Sequence, residues 1–283
     1  MSVKKCVIPI AGKGTRFLPI TKTISKEMLT IVNKPSILLQ VIECYKSGIE
    51  EVIFVLSKYN YHLVKSFFTV DQELNDYLDD DKIIALLNEL NEVIDNVKFH
   101  YVLQDESLRG TAGAIYAARD YIKDESFGVI FGDDLIKGDV PALSELIKIN
   151  EEFSCNVVGV GEVSRDVISN YGVVKYKDGN IVDTLVEKPT SLFDDLSNHA
   201  IQGRYVISSD VFDYILNSPK HKNSEVYIGD VLLNMSQDIR TCLLSGDYYD
   251  IGSHFGFIKA NIAYGLSCDH LRDKLLEYIS EVK

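Results

Sequence analysis

The chain has 283 residues and 31.8 kDa, and 29 basic against 42 acidic side chains leave a formal charge of −13 and a sequence pI near 4.9. That balance excludes a protein that coats DNA or an anionic membrane, which would carry a basic excess, while 46% hydrophobic and 25% charged residues exclude a disordered chain. A small phosphorylated substrate is not excluded.

In chain order, short runs rich in Val and Ile at Cys6 to Ile10, Val52 to Leu56, Phe127 to Phe131 and Val157 to Val160 predict strands buried on both faces. Between them, apolar spacing near 3.6 predicts helices at Ser36 to Lys46, Tyr61 to Phe68, Thr111 to Ile122 and Pro141 to Glu151. Strand and helix alternate, so the expected fold is α/β, a doubly wound, mostly parallel mixed sheet. Later pieces at Gly172 to Tyr176, Ile181 to Val186 and Ile201 to Ile207 predict a smaller β extension, with Lys177-Asp178-Gly179-Asn180 as a turn. Phe255 to Lys283 predicts two helices. With no Pro/Gly/Ser linker and no internal repeat, one domain over residues 1–283 is expected.

Five widely spaced cysteines without a Cys-x-x-Cys pair predict free buried thiols and no zinc site. The apolar run after Lys5 is too short for a signal peptide, and no stretch approaches the ~20 apolar residues of a membrane span. A cytoplasmic protein with neither membrane nor nucleic-acid polymer as partner is expected.

Charge is unevenly spread. Residues 1–41 hold seven bases and one acid, whereas Asp71 to Asp95 holds nine acids and one base and predicts an acidic, solvated helical insertion. The basic cluster surrounds Ala11-Gly12-Lys13-Gly14-Thr15-Arg16, directly after the first strand, followed by Ser25-Lys26-Glu27-Met28-Leu29. A glycine-rich loop at the end of a parallel strand offers free backbone N–H groups to phosphates. It is not a dinucleotide fingerprint, since Phe17 stands where the third glycine belongs, and the chain has no Walker A loop.

The loop and the Lys-Glu-Met-Leu segment resemble the signature of the sugar-1-phosphate nucleotidylyltransferases, in the form of their bacterial uridylyltransferase branch. The resemblance runs on through Gly132-Asp133-Asp134, Tyr171-Gly172-Val173-Val174, Val186-Glu187-Lys188-Pro189, Gly203-Arg204-Tyr205-Val206 and Tyr249-Asp250-Ile251-Gly252, covering about residues 3 to 265. It implies uridylyl transfer from UTP to glucose 1-phosphate, giving UDP-glucose and pyrophosphate. Arg16 and Lys26 would then meet the triphosphate as catalytic cations. Asp133 and Asp250 would hold Mg²⁺, a hard cation that is satisfied by one or two carboxylates plus phosphates. Gly172, Glu187 and Lys188 would bind the sugar phosphate, while Ala11, Gly12, Gly14, Glu27, Gln104 and Gly110 would bind the nucleotide. The resemblance also implies a homodimer or homotetramer.

Two segments depart from the uridylyltransferase pattern. Leu108-Arg109-Gly110-Thr111-Ala112-Gly113-Ala114 looks more like relatives acting with other bases or sugars, so a thymidylyl- or other sugar-1-phosphate nucleotidylyltransferase of the same fold is the alternative, and a silent nucleotide-sugar binding protein a remote one. Glu225-Val226-Tyr227-Ile228-Gly229-Asp230 replaces the usual Glu-x-Gln-Leu-Thr-Asp.

Overall fold

The computed structural model describes residues 2–77, 84–189, 196–221 and 224–282. Its strands are β1 (Lys5–Pro9), β2 (Thr30–Ile31), β3 (Lys34–Pro35), β4 (Glu51–Leu56), β5 (Lys98–Leu103), β6 (Ser126–Ile130) and β7 (Asp134–Lys137). They continue as β8 (Asn156–Glu162), β9 (Gly172–Asp178), β10 (Ile181–Glu187), β11 (His199–Ser208), β12 (Ile239–Leu243) and β13 (Asp247–Asp250). Nine of them form one mixed sheet in the order β5-β4-β1-β6-β11-β8-β12-β10-β9.

Side chains alternate across a strand, and here both faces of the sheet are covered. Cys6, Ile8, Val52, Phe54 and Leu56 face a core closed by the helices Ser36–Lys46 and Ala142–Phe153. Val7, Ile53, Val55 and Val129 face the opposite core, closed by the helices Gly110–Tyr116 and Ile228–Asn234. The four Val/Ile runs are therefore strands for the reason their composition suggests.

The parallel block β5-β4-β1-β6 stands as expected. The strand at residues 199–208, by contrast, does not lie in an extension. β11 sits in the middle of the sheet, antiparallel to both β6 and β8, and most of its residues are buried between them. The acidic segment also departs from a purely solvated face. Its helix Asn88–Asn96 buries Val93 and packs Leu90 and Ile94 on the core, the segment also holds a helix Gln72–Tyr77, and residues 78–83 lie outside the described residues.

β7 and β13 form a separate antiparallel pair in which Asp250 stands opposite Asp134. This pairing draws residues from the two halves of the chain to one edge of the sheet. Cys6, Cys44, Cys155 and Cys242 are buried and Cys268 half-buried, all as free thiols. No described helix is long and apolar enough to cross a membrane.

Candidate active site

The glycine-rich loop leaves the end of β1, where Ile10 donates its N–H to Val55 O at 2.8 Å and its carbonyl accepts from buried Asn60 Nδ2 at 2.7 Å. Gly14 has a φ of 60°, and a Cβ there would stand 3.1 Å from Thr21 Cγ2 and 3.2 Å from Lys26 Cβ. The loop therefore lies directly on the stem of Lys26, and glycine is what allows the approach. Phe17 anchors its far end against His254 and Phe257, with ring centroids at 4.9 and 5.5 Å.

Lys26 donates to Asp133 Oδ2 at 2.9 Å, and its Nζ lies 3.9 Å from Glu27 Oε1. Burial pulls the ammonium pKa down, but the carboxylates of Asp133 and Glu27 outweigh it and the net shift is upward. Burial likewise raises Asp133, yet Lys26 and Arg16 reverse that and hold it below its ordinary range. Arg16, exposed, donates from Nη1 to Gly252 O at 3.3 Å, so the loop, the turn after β6 and the turn after β13 meet.

Asp250 Oδ1 accepts from Gly252 N at 3.0 Å. A Cβ on Gly252 would stand 3.1 Å from both Asp133 Oδ2 and Asp250 Oδ1, so the two carboxylates face one gap. No cluster of three or more His, Cys, Asp or Glu suited to a cation occurs among the described residues. A pair of carboxylates nevertheless fits a hard dication that takes its other ligands from phosphates and water.

Beneath this gap lies Asp134, which accepts from Tyr248 Oη at 2.5 Å. Burial, and next the charge of Asp133, push its carboxyl up to about 7. Its backbone carbonyl accepts from Arg204 Nη2 at 3.1 Å. Arg204 is wholly buried and makes two 2.8 Å bonds to Glu43. Lone burial of either charge would be costly, so the pair exists only as a fixed fork, and it fixes the floor of the site.

On the opposite wall, Glu187 at the end of β10 pairs with Gly172 at the start of β9, and a Cβ on Gly172 would stand 3.0 Å from Glu187 Oε2. Lys188, with a φ of 45°, keeps its Nζ 3.7 Å from Glu187 Oε1. A cavity of about 440 Å³ opens beside β13, and a larger one of about 730 Å³ is lined by Arg16, Asp133, Asp250, Gly172, Glu187 and Lys188 together.

The remaining expected residues lie elsewhere. Ala11 and Gly12 belong to the loop, and Lys26 Cε packs 3.9 Å from where a Gly12 Cβ would stand. Gln104 directly follows β5, donating its N–H to Leu56 O at 2.8 Å and its amide to Leu108 O at 3.4 Å. Gly110 has a φ of 90°, and a Cβ there would lie 2.7 Å from Val226 N.

Glu27, expected at the base, is 0% exposed, neither carboxylate oxygen has a hydrogen-bond partner among the described residues, and burial pushes it up to about 7. Residues 26–28 form a single 3₁₀ turn, in which neighbours point about 120° apart, so Lys26 reaches Asp133 on the cavity wall while Glu27 faces the interior. Sequence reasoning missed Tyr248, Glu43 and the structural part of Arg204. For Arg204 the signal was its place in the Gly203-Arg204-Tyr205-Val206 motif; Tyr248 stands two residues before Asp250, on the same face of β13.

A phosphate loop at the end of β1, cations against it and two carboxylates facing one gap define an enzyme that transfers nucleotidyl groups. The chain belongs to the nucleotidyl transferase family, whose sequence profile matches residues 5–265. UTP-glucose-1-phosphate uridylyltransferase 2 of Staphylococcus saprophyticus is 37% identical over 287 residues, covering 99% of this chain and 98% of that one. The uridylyltransferase of Staphylococcus haemolyticus is 36% identical, covering 99% and 98%. Among solved structures, a UDP-glucose pyrophosphorylase complexed with UDP-glucose matches at a TM-score of 0.83 and 33% identity, over 94% of this chain and 100% of that one. A UTP-bound enzyme from Acinetobacter baumannii matches at 0.88 and 28%, over 99% and 100%.

Proposed function

We propose that Arg16, Lys26, Asp133, Asp250, Gly172, Glu187 and Lys188 carry out uridylyl transfer from UTP to glucose 1-phosphate, with UDP-glucose and pyrophosphate as products. The observation that carries this reading is the single cavity in which the loop-side cation Arg16 and the paired carboxylates meet Gly172, Glu187 and Lys188. The names of the relatives, and the UDP-glucose and UTP held by the similar structures, support the same substrates.

A phosphate oxygen of the sugar attacks the α-phosphorus of UTP, the new P–O bond forms, and the bond to the β-phosphate oxygen breaks. Both reactants are polyanions, so the obstacles are repulsion and alignment, and no covalent nucleophile is needed. Lys26, seated beneath the loop, and Arg16 beside it hold the triphosphate and take up charge on the departing pyrophosphate. Lys188 holds the sugar phosphate, and Glu187 accepts from sugar hydroxyls above the bare backbone of Gly172. Asp133 and Asp250 are the residues that would hold Mg²⁺, whose chemistry is to neutralise phosphate charge. Ala11, Gly12, Gly14, Gln104 and Gly110 line the approach to the base.

The assay that tests this is pyrophosphate release and nucleotide-sugar formation with each common NTP and dTTP against glucose 1-phosphate in Mg²⁺. A preference for UTP is expected, and no preference would overturn the substrate assignment. Preference for dTTP would favour thymidylyl transfer, to which the segment Leu108 to Ala114 points. We further propose that the protein acts in the cytoplasm, as one domain, and as a homo-oligomer. The last is supported by the exposed apolar side chains of its final helices.

A further inference from the structure

The two segments that depart from the uridylyltransferase pattern lie against each other. Val226 donates its N–H to Arg109 O at 2.9 Å, Ala112 to Val226 O at 3.0 Å, and Ile228 to Thr111 Oγ1 at 2.9 Å. Gly110 is the residue whose bare backbone admits Val226. This clamp sets Tyr227, Gly229 and Asp230 on the wall of the large cavity. Gly229 stands over Leu185, from which a Cβ would lie 3.7 Å. Leu185 and Glu187, two apart on β10, share a face of that strand.

On this wall Asp230 is held in one orientation. His221 Nε2 donates to Asp230 Oδ2 at 2.6 Å, while His221 is itself fixed by its N–H to Glu225 O at 2.8 Å and by ring contact with Tyr227 at 4.7 Å. Tyr227 donates to Glu225 Oε2 at 2.8 Å. The phenol is pushed up chiefly by that bond, and after burial by the charges of Glu225, Glu187 and Asp230. Asp230 keeps its second oxygen, Oδ1, without a partner among the described residues.

We propose that Asp230, oriented by His221, determines acceptor specificity by accepting a hydrogen bond from a ring hydroxyl of the hexose 1-phosphate. This rests on the uridylyl-transfer reading. The sugar phosphate is oriented along the cavity because its dianion is attracted to Lys188 and repelled by Asp230, so the end of the molecule that meets Asp230 is the hydroxylated ring. Hydroxyls are donors and a carboxylate is only an acceptor. An acceptor sugar lacking the matching hydroxyl leaves the carboxylate unpaired, which is a strong ground for rejection.

The test is calorimetric binding of glucose 1-phosphate to the full chain, with steady-state kinetics alongside. Asp230→Asn should weaken glucose 1-phosphate by about 10- to 100-fold, the range for a hydrogen bond to a charged group, while the KM for UTP and the unfolding midpoint stay put. Among the 2-, 3-, 4- and 6-deoxy sugar phosphates, one should bind wild type and Asp230→Asn alike, which identifies the hydroxyl. His221→Ala should reproduce part of the loss and His221→Gln, which keeps a donor, should restore it. Unchanged sugar affinity in Asp230→Asn, or an equal loss with every deoxy sugar, overturns the proposal. If wild type binds the sugar phosphate but makes no UDP-sugar, the reaction assigned above falls while binding still decides the role of Asp230. If wild type binds no hexose 1-phosphate, both fall.

Discussion

Lys26 is the residue on which the site turns, because one ammonium must serve both an empty and a filled cleft. Without substrate it is neutralised by Asp133 at 2.9 Å and steadied by Glu27 at 3.9 Å. In the proposed reaction a triphosphate seated on the loop takes the place of Asp133 as the partner of this ammonium. Removing a group aimed at developing charge costs on the order of 10² to 10³ in rate. Lys26→Ala and Asp133→Asn should each lower kcat by about that factor, with an unfolding midpoint near that of wild type. Steady-state kinetics with thermal melts check this, and near-normal rates for both variants would move the site elsewhere. Glu27 has a different consequence, in stability. Its folded pKa of about 7 lies above the ordinary 4.5, so between these values the native state holds a proton that the unfolded chain has lost. The stabilisation linked to Glu27 is therefore fully present below about pH 4.5 and is lost as pH rises through about 7. Glu27→Gln should flatten that fall, measured as urea midpoints at several pH values between 5 and 8, with Asp134 contributing the slope that remains. Identical pH slopes in variant and wild type would show that Glu27 stays ionised.

At the scale of elements, the strands with Val and Ile on both faces were readable because two-sided burial writes a continuous apolar run. The place of β11 between β6 and β8 was not, since strand order is set by which faces pack together and leaves no mark on a strand's own composition. Nor was the burial of Glu27, which follows from a single 3₁₀ turn too short to show a period. The motifs Gly132-Asp133-Asp134 and Tyr249-Asp250-Ile251-Gly252 were legible as separate pieces. Their meeting depends on the β7–β13 pair, four residues each, which no pattern announces. Likewise the departures at residues 108–114 and 225–230 could each be seen in the sequence, while their clamp could not. Gly110→Ala tests that clamp. At a φ of 90° with Val226 N only 2.7 Å from the new Cβ, the substitution must displace the 225–228 backbone. The expected cost is about 1–3 kcal/mol in denaturant unfolding, with a raised KM for the sugar phosphate as well as for the nucleotide. A rise confined to the nucleotide would mean the two segments move independently.

For the whole molecule, the charge of −13 and the final helices pull against each other. Helix His254–Gly265 exposes Phe255 (73%), Ile258 (55%) and Ile262 (38%), spaced to lie along one face. Helix Asp269–Glu281 buries nothing and exposes Leu276 and Tyr278, although its Leu275 packs close on Gly265. Apolar faces of this kind favour association with a second copy, whereas like net charge opposes it over a screening length of about 10 Å at 0.1 M salt. An interface held by apolar burial between like-charged copies tightens as salt rises, opposite to one held by ion pairs. Sedimentation velocity should therefore show more oligomer at 0.5 M than at 0.05 M NaCl. A chain ending at Ser267 should sediment as a smaller species at both, while UDP-glucose formation per chain is retained because none of the described residues lining the larger cavity lies beyond Ser253. A truncated chain that keeps the wild-type oligomer would place the contact on another face, and loss of activity with the oligomer would mean the partner copy supports the cleft.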